Sequence, residues 1–450
     1  MRDILAVLAF VLAAAGVRGQ KSLLLAILAS LIITAPAYQA TEGQRSWIYL
    51  QEIVVAAGFI PWAIRLGRIH IKRHFKNMWV HLCILTLYIV VCTAFGYLRL
   101  EKMDEVILRS SLAGLRSGAL VLIFLMASSI PLEQKDFDGI VRWTCTGLCL
   151  LVLASALHVG RIITLPSYYG HEAALGTVQY GILWLNRASL GTYAQFGLFF
   201  SILLMRSRRL PYYLGAPVSG AFLWLTLASF SRSNVLSVIV FLTLMSVFAK
   251  GKRVANLLLL VVLGGVLIAL ATILPAVSER LASISGGSEV EQTLESTGRL
   301  TGWTVAVKYL FHHPIDAILG VGFDCWGYTI YRAGGQSAGH NLYLHVLGEL
   351  GLLGGIIYLM FFFRLLLRLN RARGSGGDAE PIGQLSLALL IALLVGSITA
   401  ELLYPTVTQI SCMALVMYTM GLIMGRLNHP SAWPQASGGA LKPALESTEK

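Results

Sequence analysis

Apolar residues along this chain come in long blocks separated by short basic turns. A bilayer-crossing helix needs about 20 apolar residues, with a lower limit near 17. On that measure the pattern predicts spans at 4–17, 22–38, 47–65, 78–97, 108–128, 140–158, 188–206, 212–230, 233–249, 254–274, 342–363, 384–403 and 407–426. The first block is short, and residues 230–234 form a tight joint. The expected fold class is an all-α polytopic membrane protein with 12–13 transmembrane helices. One stretch breaks the rhythm. Residues 276–340 are polar and read as a single large loop outside the cell, containing amphipathic helices. The chain therefore divides into an N-terminal bundle (1–275), the loop (276–341), C-terminal helices (342–426) and a tail (427–450) rich in Pro, Gly and Ser. Such a tail is expected to be disordered.

Composition narrows the class. The chain has 450 residues, mean hydropathy +0.72, 56% apolar and 13% charged residues. A soluble domain carries about 25% charge. The net charge of +13 would suit nucleic acid, but its distribution argues for a membrane protein. Arg65, Arg68, Lys72, Arg73 and Lys76 form one cluster, and Arg206, Arg208 and Arg209 a second. Lys250, Lys252 and Arg253 form a third, and Arg364, Arg368, Arg371 and Arg373 a fourth. Alternating the spans puts all four on one side, which the positive-inside rule makes cytoplasmic. The loops at 159–187 and 276–340 then face out, into the periplasm of a Gram-negative cell. Met1-Arg2-Asp3 and the apolar run behind it have signal-peptide length. The next span follows so closely that the run reads as a retained membrane segment. The six cysteines show no disulfide framework and no metal spacing. No internal repeat is visible, which weighs against a transporter built from related halves.

Within the loop, Leu300, Trp303, Val307 and Leu310 recur at helical spacing and predict an amphipathic helix over 298–312 at the outer membrane surface. Thr297 is its expected N-cap. Arg299 then sits in the first turn, where free backbone N–H groups and a guanidinium converge on one spot that suits a phosphate. The competing reading is an arginine that snorkels or pairs with Glu295. His313-Pro314 ends the helix, Gly320-Val321-Gly322 makes a turn, and Gly339-His340-Asn341 leads into an apolar run. At a helix start, His340 is held neutral by the positive dipole end and can orient or accept a hydroxyl proton. The bland alternative is a histidine that merely hydrogen-bonds at the interface. Asn341, His345 and Glu349 follow at steps of four, on one helix face. An intramembrane carboxylate such as Glu349 faces a polar cavity or a partner.

Other polar groups are expected on the same outer side: Arg187 at a span start, Ser231-Arg232-Ser233 at a joint, Arg109 and Arg116 on one face, and Glu401. Several arginines aimed into an apolar body call for a polyanion, because burying like charges unpaired costs several kcal/mol. A lipid-linked diphosphate accounts for both the membrane and the arginines.

The stretch from Thr297-Gly298-Arg299, through Gly320-Val321-Gly322, to His340-Asn341-Leu342-Tyr343-Leu344-His345-Val346-Leu347-Gly348-Glu349-Leu350-Gly351 resembles the shared block of the bacterial O-antigen ligase and O-antigen polymerase superfamily. The Ser231-Arg232 joint is similar to a Ser-Arg step of the same family. The resemblance implies a GT-C-type glycosyltransferase that uses no cofactor, no metal and no nucleotide sugar. Its donor is a glycan on undecaprenyl diphosphate at the periplasmic face of the inner membrane. Its acceptor is a sugar hydroxyl, on lipid A core for a ligase or on a second lipid-linked glycan for a polymerase. On this reading His340 and Arg299 are catalytic. Arg187, Arg232, Asn341, His345, Glu349 and Trp303 form the substrate-binding surroundings, with Trp303 and Tyr343 also suited to an interfacial belt. The alternatives are a flippase for lipid-linked oligosaccharide, another polytopic transporter, or a membrane scaffold.

Overall fold

The computed structural model describes residues 19–33, 36–39, 47–66, 73–100, 103–159, 187–229, 231–248, 299–334, 341–400, 402–404 and 410–429, with a few isolated positions. The expected span 254–274, nearly all of the expected span 4–17 and most of the expected loop at 159–187 lie outside these residues. The described elements are almost entirely helical. In chain order they are α1 (Gln20–Ile33), β1 (Pro36–Gln39), β2 (Trp47–Tyr49), α2 (Leu50–Leu66), α3 (Arg73–Arg99), α4 (Met103–Ser129), α5 (Gln134–Val159), α6 (Arg187–Arg206), α7 (Tyr212–Ala228) and α8 (Arg232–Phe248). The loop contributes α9 (Arg299–His312), α10 (Pro314–Leu319) and α11 (Trp326–Arg332). The C-terminal part contributes α12 (Leu342–Arg373), α13 (Ala379–Gly396) and α14 (Ile410–Asn428). Among the described residues seven helices are long and apolar enough to cross a membrane, and three apolar helices are shorter.

One expected span is cut short. The pattern over 22–38 predicts continuous helix, but α1 stops at Ile33 and Pro36 opens an antiparallel two-stranded hairpin with Trp47–Tyr49. Proline offers no N–H to a helix and pushes its predecessor toward extended backbone. The hydrophobic pattern does not register either effect.

α14 is the central helix, buried at every residue from Ile410 to Leu427. Its glycines allow this. A Cβ on Gly421 would lie 2.9 Å from the Phe124 carbonyl oxygen, and one on Gly425 would lie 2.6 Å from that of Ile130. Small residues let helix backbones approach closely inside a membrane, where lipid supplies no hydrophobic drive between helices.

The two ends of the bundle differ in chemistry. At one end, Arg206 donates to Gln384 (3.0 Å), Arg209 pairs with Asp138 (2.8 Å) and the buried Arg426 donates to Gln134 (2.8 Å). Arg368 bonds Asn428 there, and Arg373 stacks over Phe248 at 4.7 Å. The opposite end gathers the starts of α6, α8, α12 and α14 and the three loop helices.

Candidate functional site

α12 begins with a side-chain cap. The Asn341 Oδ1 accepts from the backbone N–H groups of Tyr343 (2.9 Å) and Leu344 (3.1 Å). These are two of the donors that a helix start leaves unpaired. The Leu342 N–H is taken by the Ser397 carbonyl (3.0 Å), and the Tyr343 hydroxyl donates to the Leu394 carbonyl (3.0 Å). The end of α13 therefore clamps the start of α12. Asn341→Ala is expected to cost about 1 kcal/mol, seen as a lower midpoint of thermal unfolding in detergent. An unchanged midpoint would deny the cap any role.

The same spot receives α6 and α8. Asn234 donates to the Ala188 carbonyl (2.7 Å) and accepts from Thr192 (3.1 Å) and Gln195 (3.0 Å). Gln195 in turn accepts from Ser237 (3.0 Å). All four side chains are buried, so the lattice is the kind of satisfied polar network that fixes one helix arrangement. Gly396 at the end of α13 lies against α8 so closely that a Cβ there would sit 2.8 Å from the Ser233 carbonyl oxygen. Contacts thus run continuously from Ala188 through Asn234, Ser233, Gly396 and Ser397 to Leu342. Arg187 is the chain neighbour of Ala188, and Arg232 lies between Ser231 and Ser233. The structure describes the backbone of Arg187, Arg232 and Arg299, each the first residue of its helix. His340, one residue before the Asn341 cap, lies outside the described residues, as do Thr297 and Glu401.

A second contact brings the loop to this helix start. Tyr97, Ala306, Val321, Cys325, Trp326 and Ile330 form a small buried cluster, with Val305, Tyr309, Leu310 and Leu344 packed on it. Leu344 belongs to the first turn of α12, so α9, the helix led by Arg299, packs there. Trp326 packs against Gly348, where a Cβ would come 2.5 Å from the indole Cε2 and Cε3 and closer still to Cδ2. The buried positions of α9 include Gly302 and Ala306, with Trp303 half-buried. Of the apolar row Leu300, Trp303, Val307 and Leu310, Trp303 and Leu310 are half-buried and Val307 is exposed. Exposed apolar side chains continue from Val307 through Phe311, Ile315, Ile318 and Leu319. The small residues face the protein because α9 approaches the cluster closely.

α12 is kinked at Gly351 (φ 63°, ψ −174°), a conformation essentially reserved for glycine. The kink frees two carbonyls, and the loop supplies their partners. The Val321 N–H donates to the Gly348 carbonyl (2.9 Å), and the Gly322 N–H donates to that of Glu349 (3.0 Å). The Cys92 thiol donates to the Glu349 carbonyl as well (3.2 Å).

Beside the kink, the Glu349 carboxylate is fully enclosed. Its Oε2 accepts from the Tyr404 hydroxyl (2.7 Å) and its Oε1 lies 3.0 Å from the His345 Nε2. The rings of His345 and Tyr404 are 4.9 Å apart. His345 and Glu349 share a face, as their spacing predicts, and that face turns toward Tyr404. Their polar atoms are occupied by one another, which suits a positioning role. Of the two further arginines, Arg109 pairs with Glu105 on its own helix (2.9 Å) and Arg116 is buried. The residues that sequence reasoning missed are Tyr404, Asn234 and Gln195. Each is a polar group inside an apolar block, a signal that carries little weight until its partner is known.

No curated protein matches the chain as a relative. The segment that brings the starts of α8 and α12 together with the loop helices between them is similar to the O-antigen ligase family, whose family model matches residues 217–359.

Proposed function

We propose that this protein is a metal-independent GT-C-type glycosyltransferase of the O-antigen ligase or polymerase kind. It moves a glycan from undecaprenyl diphosphate to a sugar hydroxyl at the periplasmic face of the inner membrane. The observation that carries the reading is the convergence of the helix starts next to Arg187, Arg232 and His340, inside the segment similar to O-antigen ligase. Helix starts present free N–H groups and a positive dipole end, which favour an anion.

In this mechanism Arg187, Arg232 and Arg299 grip the diphosphate and offset its charge as it leaves. His340 takes the proton of the acceptor hydroxyl. The acceptor oxygen bonds to the anomeric carbon, the bond from that carbon to the diphosphate oxygen breaks, and the configuration inverts. Asn341 fixes the start of α12, while His345 and Glu349 hold the helix beneath His340. Trp303 stacks on sugar or anchors at the interface. The exposed apolar row from Val307 to Leu319 supports a loop that rests on the lipid surface, where both lipid-linked substrates are confined. The basic side chains at the other end of the bundle support a cytoplasmic assignment for that end.

The test is transfer by purified protein in detergent, which needs no sealed compartment and so separates an enzyme from a flippase. His340→Ala and Arg299→Ala are each expected to lower transfer by about 100-fold or more, with membrane insertion intact. Full product formation by both variants would remove the mechanism.

A further inference from the structure

A cavity of about 330 Å³ opens on the loop side of α12, between the end of α3 and the three loop helices. The face of α12 next to it is the one that carries Leu344 and Gly348, not the one clamped by α13. Its polar lining is Arg99, Tyr309, His313, Asp316, Thr329 and Arg332. This size is at the lower end of small-ligand pockets, which run from about 300 to 1,000 Å³.

The charges in the cavity sort themselves. Asp316 is fully engaged: one oxygen pairs with Arg99 and the other accepts from the Tyr309 hydroxyl (2.7 Å). Burial, and the bond to Asp316, hold the Tyr309 phenol above its ordinary range, so it stays a neutral donor. Arg332 is exposed and forms no ion pair among the described residues. Tyr309 and His313 stack with centroids 4.3 Å apart, which gives the cavity a flat aromatic wall. Thr329 donates to the Cys325 carbonyl (3.0 Å) and keeps acceptor capacity. One open guanidinium, an aromatic wall and a ring of hydroxyl and imidazole partners make a site for a polar ring that bears one negative charge.

We propose that this cavity is an acceptor subsite for an anionic sugar unit, a hexose bearing a carboxylate or phosphate, with Arg332 as its charge-reading residue. The assignment rests on the glycan-transfer reading. On that reading the donor diphosphate is held by helix-start arginines, of which Arg187 and Arg232 lead the two helices joined to α12 through α13, and the cavity lies on the other side of the α12 start. Guanidinium groups recognise carboxylate and phosphate through paired N–H donors.

The experiment titrates the full-length protein in detergent with methyl glucuronide, glucose 6-phosphate, methyl glucoside and inorganic phosphate, using ligand-observed magnetic resonance. Both anionic sugars are expected to bind about tenfold tighter than the neutral glycoside and than phosphate, a gap of about 1.4 kcal/mol. Arg332→Ala and the charge-reversing Arg332→Glu should erase that gap, and added salt should narrow it. Arg332 is solvent-exposed, so both variants keep the fold. In the transfer assay Arg332→Ala should raise KM for an anionic acceptor and leave KM for the donor unchanged. Equal binding of charged and neutral sugars, phosphate binding as well as the sugars, unchanged binding in Arg332→Ala, or a KM change on the donor would each overturn the subsite. Binding is read without turnover. A protein that binds the anionic sugars but transfers nothing keeps the subsite and loses the enzyme reading, and the reverse result loses the subsite alone.

Discussion

Gly351→Ala is expected to destabilise the protein by about 2–6 kcal/mol, from roughly 1–3 kcal/mol of backbone strain and a similar overpacking term. The position combines two demands. Its φ of 63° with ψ near −174° is a conformation that a side chain strongly disfavours. A Cβ there would also lie 2.5 Å from the Ile318 carbonyl carbon, which belongs to backbone and cannot swing away. Gly320 faces it with φ 82° and ψ 164°, and a Cβ on Gly320 would lie 2.6 Å from the Glu349 carbonyl carbon. The two glycines let the loop backbone reach the kink. Gly327→Ala is the control, because a Cβ there meets nothing within 4 Å. The measurement is the monodisperse fraction after detergent extraction, with the thermal midpoint. Gly351→Ala as stable as Gly327→Ala would mean that the kink is not held by the loop.

Glu349→Leu is expected to lose roughly 1–3 kcal/mol from the buried Tyr404 hydroxyl alone, whose acceptor it removes. The groups that lose that acceptor are the Tyr404 hydroxyl and the His345 ring, and Glu349 itself is 1% exposed. Tyr404→Phe removes one donor and leaves the carboxylate with fewer partners, again at a cost of about 1–3 kcal/mol. The informative variant carries both changes. Once both groups are apolar neither leaves an orphan of that pair, so the double variant should lose about 1 kcal/mol less than the sum of the singles. Additive losses in the thermal midpoints would show that the two side chains are not coupled. Glu349→Gln, which keeps an acceptor oxygen, should fall between wild type and Glu349→Leu.

Much of this architecture is legible in the chain because a bilayer imposes one simple rule on it. Every crossing needs a long apolar block, and those blocks stand out. The start of the loop helix near 299 and the restart at 342 are equally plain, because polar residues and a capping Asn341 mark them. What escapes is whatever depends on a partner distant in sequence. Glu349 announces itself as a costly intramembrane carboxylate, but nothing local names Tyr404 as its donor. The protein-facing side of α9 is not legible for a related reason. Apolar periodicity marks the row through Val307 for the membrane surface, whereas close packing selects Gly302 and Ala306 for the protein side. Hydrophobicity does not distinguish a lipid-facing surface from a protein-facing one.

The union of the loop with α12 also sets an order of assembly. Residues 320–322 precede α12 in synthesis, so the plug is made before its socket. A kinked helix with two unpaired carbonyls at membrane depth would pay several kcal/mol for each. α12 therefore reaches its final form only once the Gly-Val-Gly turn is seated against it.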